Sequence, residues 1–379
     1  MNFSLTAEQE LLKSEVAEFA STLNEDTARD DEEKIFPREK WERCGEFGLQ
    51  GLQIPEAFGG RACGMLTSVV AMEGFGYGCR DNGLAFALNG QMLIQLPLIH
   101  CGNERQKSQF LPGLARGTMM GAFAFTEPDS GSDLYSISTV ADKVDGGYRL
   151  RGKKAFITFA PIADFALVFG TVNPELREWG LTAFLVDLSS EGVNISSPRT
   201  KMGLRTVPSG EIEFNDCFVP DEGVLGKEKA GLGILNRAIE WDRCCVLASQ
   251  LGAMERQLEE SVAYAKERKQ FGQPIGKFQS VSNLIADMKL RLETSRHLLY
   301  SAAWRVDQDK PAVLESALSK LSLSENFVQS SLDAIRIHGG NGYLGDMEVE
   351  RNLRDAIGGI IYGGTSEIQR VTIAKMLGL

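Results

Sequence analysis

The pattern of apolar and polar positions changes character twice along the chain. From Leu5 to Phe19 acidic and apolar residues recur at helical spacing, which predicts an amphipathic helix. Residues 20–36 are charged and only weakly patterned. Phe47, Leu49, Leu52 and Ile54 run into a break at Pro55 and Gly59-Gly60. The apolar stretches 65–77 and 84–99 predict two more helices, in which Ala71, Gly74, Ala85 and Ala87 leave room for close packing. Arg105 to Leu114 predicts a short helix stopped at Gly117.

Near Gly121 the period shortens. Candidate strands are Gly121–Phe125, Ser138–Val144, Tyr148–Ile157, Phe165–Gly170, Leu181–Val186 and Gly210–Phe214, with turn signals at Asp145-Gly146-Gly147 and Arg151-Gly152. A repeat of about ten residues predicts a small antiparallel β domain. From about residue 228 helices return and lengthen. Leu232–Ala265, Phe278–Val306 and Pro311–Ile337 each carry apolar residues at helical spacing, and Thr365–Met376 adds a last helix to make a bundle. The fold class is therefore α+β: an N-terminal all-helical domain over residues 1–120, a middle β-barrel-like domain over 121–225 and a C-terminal helical bundle over 226–379. Seams between such domains are where large cofactors bind.

Composition narrows the function. The chain has 379 residues, of which 43 % are hydrophobic, enough to bury sizeable cores. A net charge of −11 argues against nucleic acid or an anionic membrane as the main partner. Seven cysteines with no CxxC pair predict reduced thiols in a cytoplasmic protein. His100, His297 and His338 are scattered, so no metal centre is expected. The N-terminus lacks a basic n-region and an apolar h-region, so no signal peptide is expected, and no apolar run of about 18 residues predicts a membrane span.

Four polar segments carry candidate chemistry. Thr126-Glu127-Pro128-Asp129-Ser130-Gly131-Ser132-Asp133 follows an apolar strand; it reads as a capped turn or as a donor-rich loop for a planar ring or an anion. His338-Gly339-Gly340-Asn341-Gly342 reads as a helix stop or as backbone open to a nucleotide. Tyr362-Gly363-Gly364-Thr365-Ser366-Glu367 reads as a helix cap with an acidic first turn, or as free N–H groups for a phosphate. Arg268-Lys269-Gln270-Phe271-Gly272 ends a helix, where cations are favourable in any case. The usual dinucleotide fingerprint and the P-loop are absent. Cys244 and Cys245 point in different directions on a helix and read as packing residues.

Taken together, the segments TEPDSGSD (126–133), KKAFIT (153–158), KMGLRTVPSGEIEFNDCFVP (201–220), RKQFGQPIGKFQ (268–279), HGGNGY (338–343), ERNLRDA (350–356) and IYGGTSEIQR (361–370) resemble the acyl-CoA dehydrogenase family of flavoproteins. They occur in the family's order and cover nearly the whole chain. The resemblance implies a helical domain, a β domain and a C-terminal four-helix bundle. It also implies non-covalent FAD and a homotetramer or dimer, with FAD bound across a subunit interface. By carry-over, Thr126, Ser132, Phe156 (where the family often has Trp) and Thr158 lie along the flavin. Arg268, Phe271 and Gln279 reach the FAD of a neighbouring subunit. Gly339 and Gly340 let backbone approach its diphosphate, with Arg336 where the family often has Gln, and Thr365 and Glu367 meet it from the last loop.

The resemblance also exposes a gap. The family's usual catalytic loop reads Tyr-Glu-Gly-Thr, and here Gly363 replaces the carboxylate. Removing the α-proton of an acyl thioester needs a base. Some branches carry it on the first bundle helix, in a Glu-Arg segment that matches Asp242-Arg243 here. Asp is shorter than Glu by about 1.5 Å. Glu240 is the weaker alternative, about 200° round the helix, with Arg243 as a supporting residue. This arrangement resembles branched-chain enzymes and, more closely, the branch that oxidises acyl or prolyl thioesters on phosphopantetheinylated carrier proteins. The expected function is FAD-dependent α,β-dehydrogenation of an acyl-CoA or acyl-carrier thioester, with electron-transfer flavoprotein as a possible acceptor. The alternatives are an oxidase returning electrons to oxygen, and a flavin- or acyl-binding scaffold without a base.

Overall fold

The computed structural model describes residues 4–134 and 136–379. Six helices come first: α1 (Ala7–Ser21), α2 (Thr27–Glu33), α3 (Arg38–Phe47), α4 (Met65–Gly78), α5 (Asn82–Cys101) and α6 (Glu104–Ala115). Reciprocal capping boxes start α1 (Thr6 with Gln9) and α6 (Asn103 with Gln106). Helix α2 falls in the segment without apolar periodicity. Its buried residues are Thr27, Asp30 and Asp31, and the two acids pair with Lys40 and Arg354, each at 2.8 Å. Ion pairs thus fill the place of an apolar stripe.

Helix α5 is long and apolar enough to cross a membrane, yet 67 % of that stretch is buried inside the protein, as in a core helix. Between residues 81 and 98 only Phe86, Gly90 and Leu93 are half-exposed. Their spacing places them on one face, the one that the surrounding helices leave partly uncovered.

The middle of the chain forms β1 (Gly121–Ala124), β2 (Val140–Val144), β3 (Gly147–Thr158), β4 (Phe165–Thr171), β5 (Leu181–Asp187), β6 (Val193–Ile195), β7 (Ser209–Pro220) and β8 (Val224–Leu225). The order is β6-β7-β3-β2-β4-β5-β8, with β1 added beside β4. Most pairings are antiparallel, as expected. The β1–β4 pairing and the Val140–Thr171 contact of β2 with β4 are parallel, so the sheet is mixed. The hydrogen-bonded path is open, from β6 to β8, rather than a closed barrel. Strands β6 and β8 are too short to show an alternation in sequence.

The last part contains α7 (Gly231–Cys245), α8 (Ala248–Glu267), a hairpin of β9 (Lys269–Gln270) and β10 (Gln273–Pro274), then α9 (Gln279–Asp307), α10 (Val313–His338), α11 (Gly340–Tyr343), α12 (Val349–Gly359) and α13 (Ser366–Met376). The stretch Leu232–Ala265, read as one helix from its periodicity, divides at Val246-Leu247. The reason is tertiary: α7 packs on α5, whereas α8 crosses α4 at backbone contact. A Cβ at Gly252 would come 1.9 Å from the Glu73 carbonyl oxygen, and one at Gly76 would come 1.7 Å from that of Ser249.

The segment 201–208 straps the sheet to both helical parts. Thr206 Oγ1 donates to Asp81 at 2.8 Å, and the Leu204 N–H donates to Asp355 on α12 at 2.6 Å. The Asn82 amide donates to Asn352 and Asp355, both at 3.0 Å. All seven cysteines are free.

Candidate active site

The last turn of α7, the middle of α10 and the turn before α13 converge on one small region. Gly363 and Gly364 in that turn have φ of 64° and 88°. Two successive left-handed residues favour glycine, since a Cβ there crowds the following carbonyl. A Cβ built on Gly363 would lie 3.1 Å from Asp242 Oδ2. The carboxylate from α7 thus reaches the place where a residue-363 side chain would begin.

The turn is clamped through its carbonyls. Arg243 Nε donates to Gly363 O at 3.2 Å, and Lys320 Nζ donates to Gly364 O at 2.7 Å. Gln369 Nε2 donates to both, at 3.1 and 2.9 Å. Thr365 caps α13, its Oγ1 accepting from the Ile368 N–H at 3.3 Å. The Tyr362 ring packs on Phe86 with centroids 4.8 Å apart, and its hydroxyl accepts from Gln250 Nε2 at 2.7 Å.

Asp242 is 6 % exposed. Arg243 and Lys320 spend their hydrogen bonds on the turn, and among the described residues no side chain donates to the Asp242 carboxylate. Burial pushes it up to about 7, against the pull of Arg243 and Lys320. A base with that pKa is half-ionised at neutral pH and strong enough to take a proton. Glu240 turns away: its Oε1 accepts from the Ala312 N–H at 2.8 Å, just ahead of α10.

A second cluster holds the loop after β1. The Ala155 N–H donates to Thr126 O at 2.9 Å, which sets Thr126 beside β3. Glu127, 2 % exposed, accepts from Lys154 at 2.7 Å. It also accepts from the Ser138 N–H and hydroxyl at 2.6 and 2.5 Å, and from those of Thr139 at 2.9 and 2.6 Å. Burial opposes ionisation here too, but Lys154 and these donors hold the Glu127 carboxyl down to about 2. Strand β3 bulges between Lys154 and Ile157. Phe156 sits on that bulge with φ 58° and is 77 % exposed. A bulky residue in this conformation carries backbone strain, and on the bulge its ring is turned out to solvent. Thr158, half-buried, ends β3, and Ser132 is exposed on the loop.

The other expected cofactor residues stand elsewhere. Arg268 at the end of α8, Phe271 between β9 and β10, and Gln279 at the start of α9 are all exposed. Phe271 is 94 % exposed with φ 50°. Cβ atoms built on Gly339 and Gly340 would meet nothing within 4 Å, so that backbone face is open. Arg336 is a surface residue paired with buried Asp333 at 3.0 Å. Glu367 is exposed in the first turn of α13. Among the described residues no hydrogen bond joins the hairpin or the Gly339-Gly340 face to the Asp242 turn. Exposed aromatic rings, threonine hydroxyls and a bare backbone face are the groups that a flavin ring and a diphosphate call for.

Three residues escaped the sequence reading. Glu127 and Lys154 lie inside TEPDSGSD and KKAFIT, but nothing local says that they meet. Lys320 carried a signal: it falls on the buried face of α10, among Ser316, Ala317, Leu323 and Ser324.

Residues 6–118, 122–217 and 229–378 match in turn the family descriptions for the N-terminal, middle and C-terminal domains of acyl-CoA dehydrogenase. The chain is 44 % identical over 348 residues to an L-prolyl-[peptidyl-carrier protein] dehydrogenase of Pseudomonas fluorescens, covering 91 % of this chain and 92 % of that protein. Among solved structures, the prolyl acyl carrier protein oxidase AnaB superposes with a TM-score of 0.98 at 45 % identity, covering 99 % of this chain and all of that one. PigA with FAD and proline does so with a TM-score of 0.98 at 39 % identity, with both chains fully covered. Matched by all three domain descriptions in order, the chain belongs to the acyl-CoA dehydrogenase family.

Proposed function

We propose that this protein is an FAD-dependent dehydrogenase of acyl thioesters, that Asp242 is its base, and that its acyl group is carried on the phosphopantetheine of a carrier protein. The base assignment is carried by one distance: Asp242 Oδ2 stands 3.1 Å from the Cβ position of residue 363, where the resemblance puts the missing carboxylate. That placement also argues against a scaffold without a base.

Thr126, Thr158 and Phe156 would hold the flavin, and the open Gly339-Gly340 face would take its diphosphate. Arg268, Phe271 and Gln279 would come from a second copy in a homotetramer or dimer, in keeping with the uncovered Phe271. When bound, FAD supplies the acceptor for the β-hydride. Asp242 takes the α-proton onto its carboxylate, and the Cα–Cβ bond becomes a double bond. Burial makes that carboxylate a stronger base than one in water. The Phe86–Tyr362 stack and the half-exposed Gly90 and Leu93 would border the acyl group and keep water away from the proton transfer.

The carrier is favoured over CoA by the prolyl-carrier dehydrogenase from Pseudomonas fluorescens. A second reading, an oxidase, is favoured by the likeness to AnaB. Both are tested by anaerobic titration of the purified holoprotein with saturated thioesters on CoA and on a carrier, prolyl and butyryl groups included. Bleaching of the flavin by carrier-bound substrate alone is the expected result; bleaching by acyl-CoA alone would replace the carrier in this reading. Admitting air afterwards separates the two enzymes. Fast reoxidation with peroxide marks the oxidase, and slow reoxidation points to an acceptor such as electron-transfer flavoprotein.

A further inference from the structure

The Asp242 carboxylate is nearly dry, unbonded and ionisable, a combination that needs an external cause. Arg243 follows it on α7 and is the stronger of the two cations that act on it, with its Nε donating to the Gly363 carbonyl. The other nearby cation is Lys320, whose side chain has no exposed surface. Its Cε lies 3.9 Å from the Cβ position of residue 363, and Asp242 Oδ2 lies 3.1 Å from the same point. Lysine and aspartate thus flank one spot without closing an ion pair, because the ammonium donates to the Gly364 carbonyl.

We propose that Lys320 is the positioning residue of this site: a buried ammonium that pins the Gly363-Gly364 turn to α10 and, across the Gly363 gap, keeps the Asp242 carboxylate ionisable while leaving its oxygens free. The inference rests on Asp242 being the base. A closed ion pair would serve worse, since a hydrogen-bonded carboxylate is a weaker proton acceptor. A cation held a few ångströms away lowers the cost of the charge in a medium of low dielectric and occupies no lone pair.

Other charges around the pair fit this role. From α7 come Arg243, Glu240 and the Cys244 and Cys245 thiols; from the turn comes the Tyr362 phenol. Burial and Arg243 pull the Lys320 ammonium down to about 8, against Asp242, Glu325 on α10 and Glu367 on α13, so it is still mostly charged at pH 7. Helices α5 and α8 present the uncharged Phe86, Asn89 and Gln250. Lys320 is therefore the cation that reaches Asp242 from α10, the helix facing α7.

The test compares wild-type, K320M, K320Q, K320R and D242N holoproteins by the pH dependence of anaerobic flavin reduction. It also follows, in each cofactor-free protein, the carboxylic-acid infrared band that D242N abolishes, which sets it apart from the bands of buried Asp81 and Asp355, a readout that needs no turnover. Gln369 still donates to Gly364 O in every Lys320 variant, so the turn keeps a partner. K320M and K320Q should move the midpoint of both curves up by about one pH unit, making reduction about fivefold slower at pH 7 and nearly normal by about pH 9. K320R should keep the wild-type midpoint, and FAD content should be unchanged throughout. Unmoved midpoints in the neutral variants, or a loss equal at every pH, would overturn the role of Lys320. Wild-type reduction by D242N would instead overturn the base assignment, whatever Lys320 does.

Discussion

Glu127 and Asp242 are both buried acids with a buried lysine close by, Lys154 for one and Lys320 for the other. Around Glu127 the ion pair closes at 2.7 Å and four further N–H and O–H groups donate to the carboxylate. Its oxygens are saturated and it stays ionised well below the ordinary carboxylate range. Around Asp242 the lysine donates elsewhere, and burial lifts the pKa to about 7. Burial is common to both; the direction of the lysine's hydrogen bond and the donors from Ser138 and Thr139 separate them. A saturated carboxylate anchors a loop, and an unsaturated one is available to a proton.

The widest separation between the two is expected from D242N. It should slow anaerobic flavin reduction by about 10²–10⁴-fold while FAD content stays normal; a loss below tenfold would move the base elsewhere. K154M should act on folding instead. Leaving Glu127 buried without its cation costs about 3–5 kcal/mol, read as a lower denaturation midpoint, and the double variant K154M/E127Q should recover part of it.

The pH dependence runs in opposite senses. Asp242 is raised from 3.8 to about 7, so the stability it lends is present below 3.8 and is lost as pH rises through 7. D242N should therefore gain on wild type in thermal denaturation between about pH 4 and 8, over the range in which wild-type reduction speeds up. Glu127 is lowered from 4.5 to about 2, so its contribution is present above 4.5 and lost as pH falls toward 2. E127Q should lessen acid denaturation in that window; equal acid sensitivity in wild type and E127Q would show that the pair is not what fails. The smallest effect is expected from G363A, which forces a Cβ into a left-handed residue at a cost of about 1–2 kcal/mol. The same methyl group crowds Asp242, so reduction should slow as well; an unchanged rate would mean that the carboxylate has room to move aside.

Much of the fold could be read along the chain. Helices α4, α5, α6, α9, α10 and α13 and the longer strands follow local periodicity and caps, because one buried face leaves a regular trace in sequence. The division between α7 and α8 left no such trace, since both halves are amphipathic and the break answers to two different partners, α5 and α4. Helix α2 escaped because its buried face is acidic. In the site, the change at position 363, the carboxylate beside Arg243 and the preference for Asp242 over Glu240 were legible, but not the contacts that separate the two acids.

The sequence by itself determined the order of the three structural parts, the family motifs and the two candidate acids. Only the tertiary structure decided which acid faces the turn: Asp242 reaches the gap at Gly363, whereas Glu240 caps the approach to α10. It alone brought Lys320 to Asp242 across 78 residues of chain and Lys154 to Glu127 across 27. Periodicity reports which side of an element is buried, but a pKa depends on distances of a few ångströms between elements. Those distances are set by how α7, α10 and the glycine turn pack together.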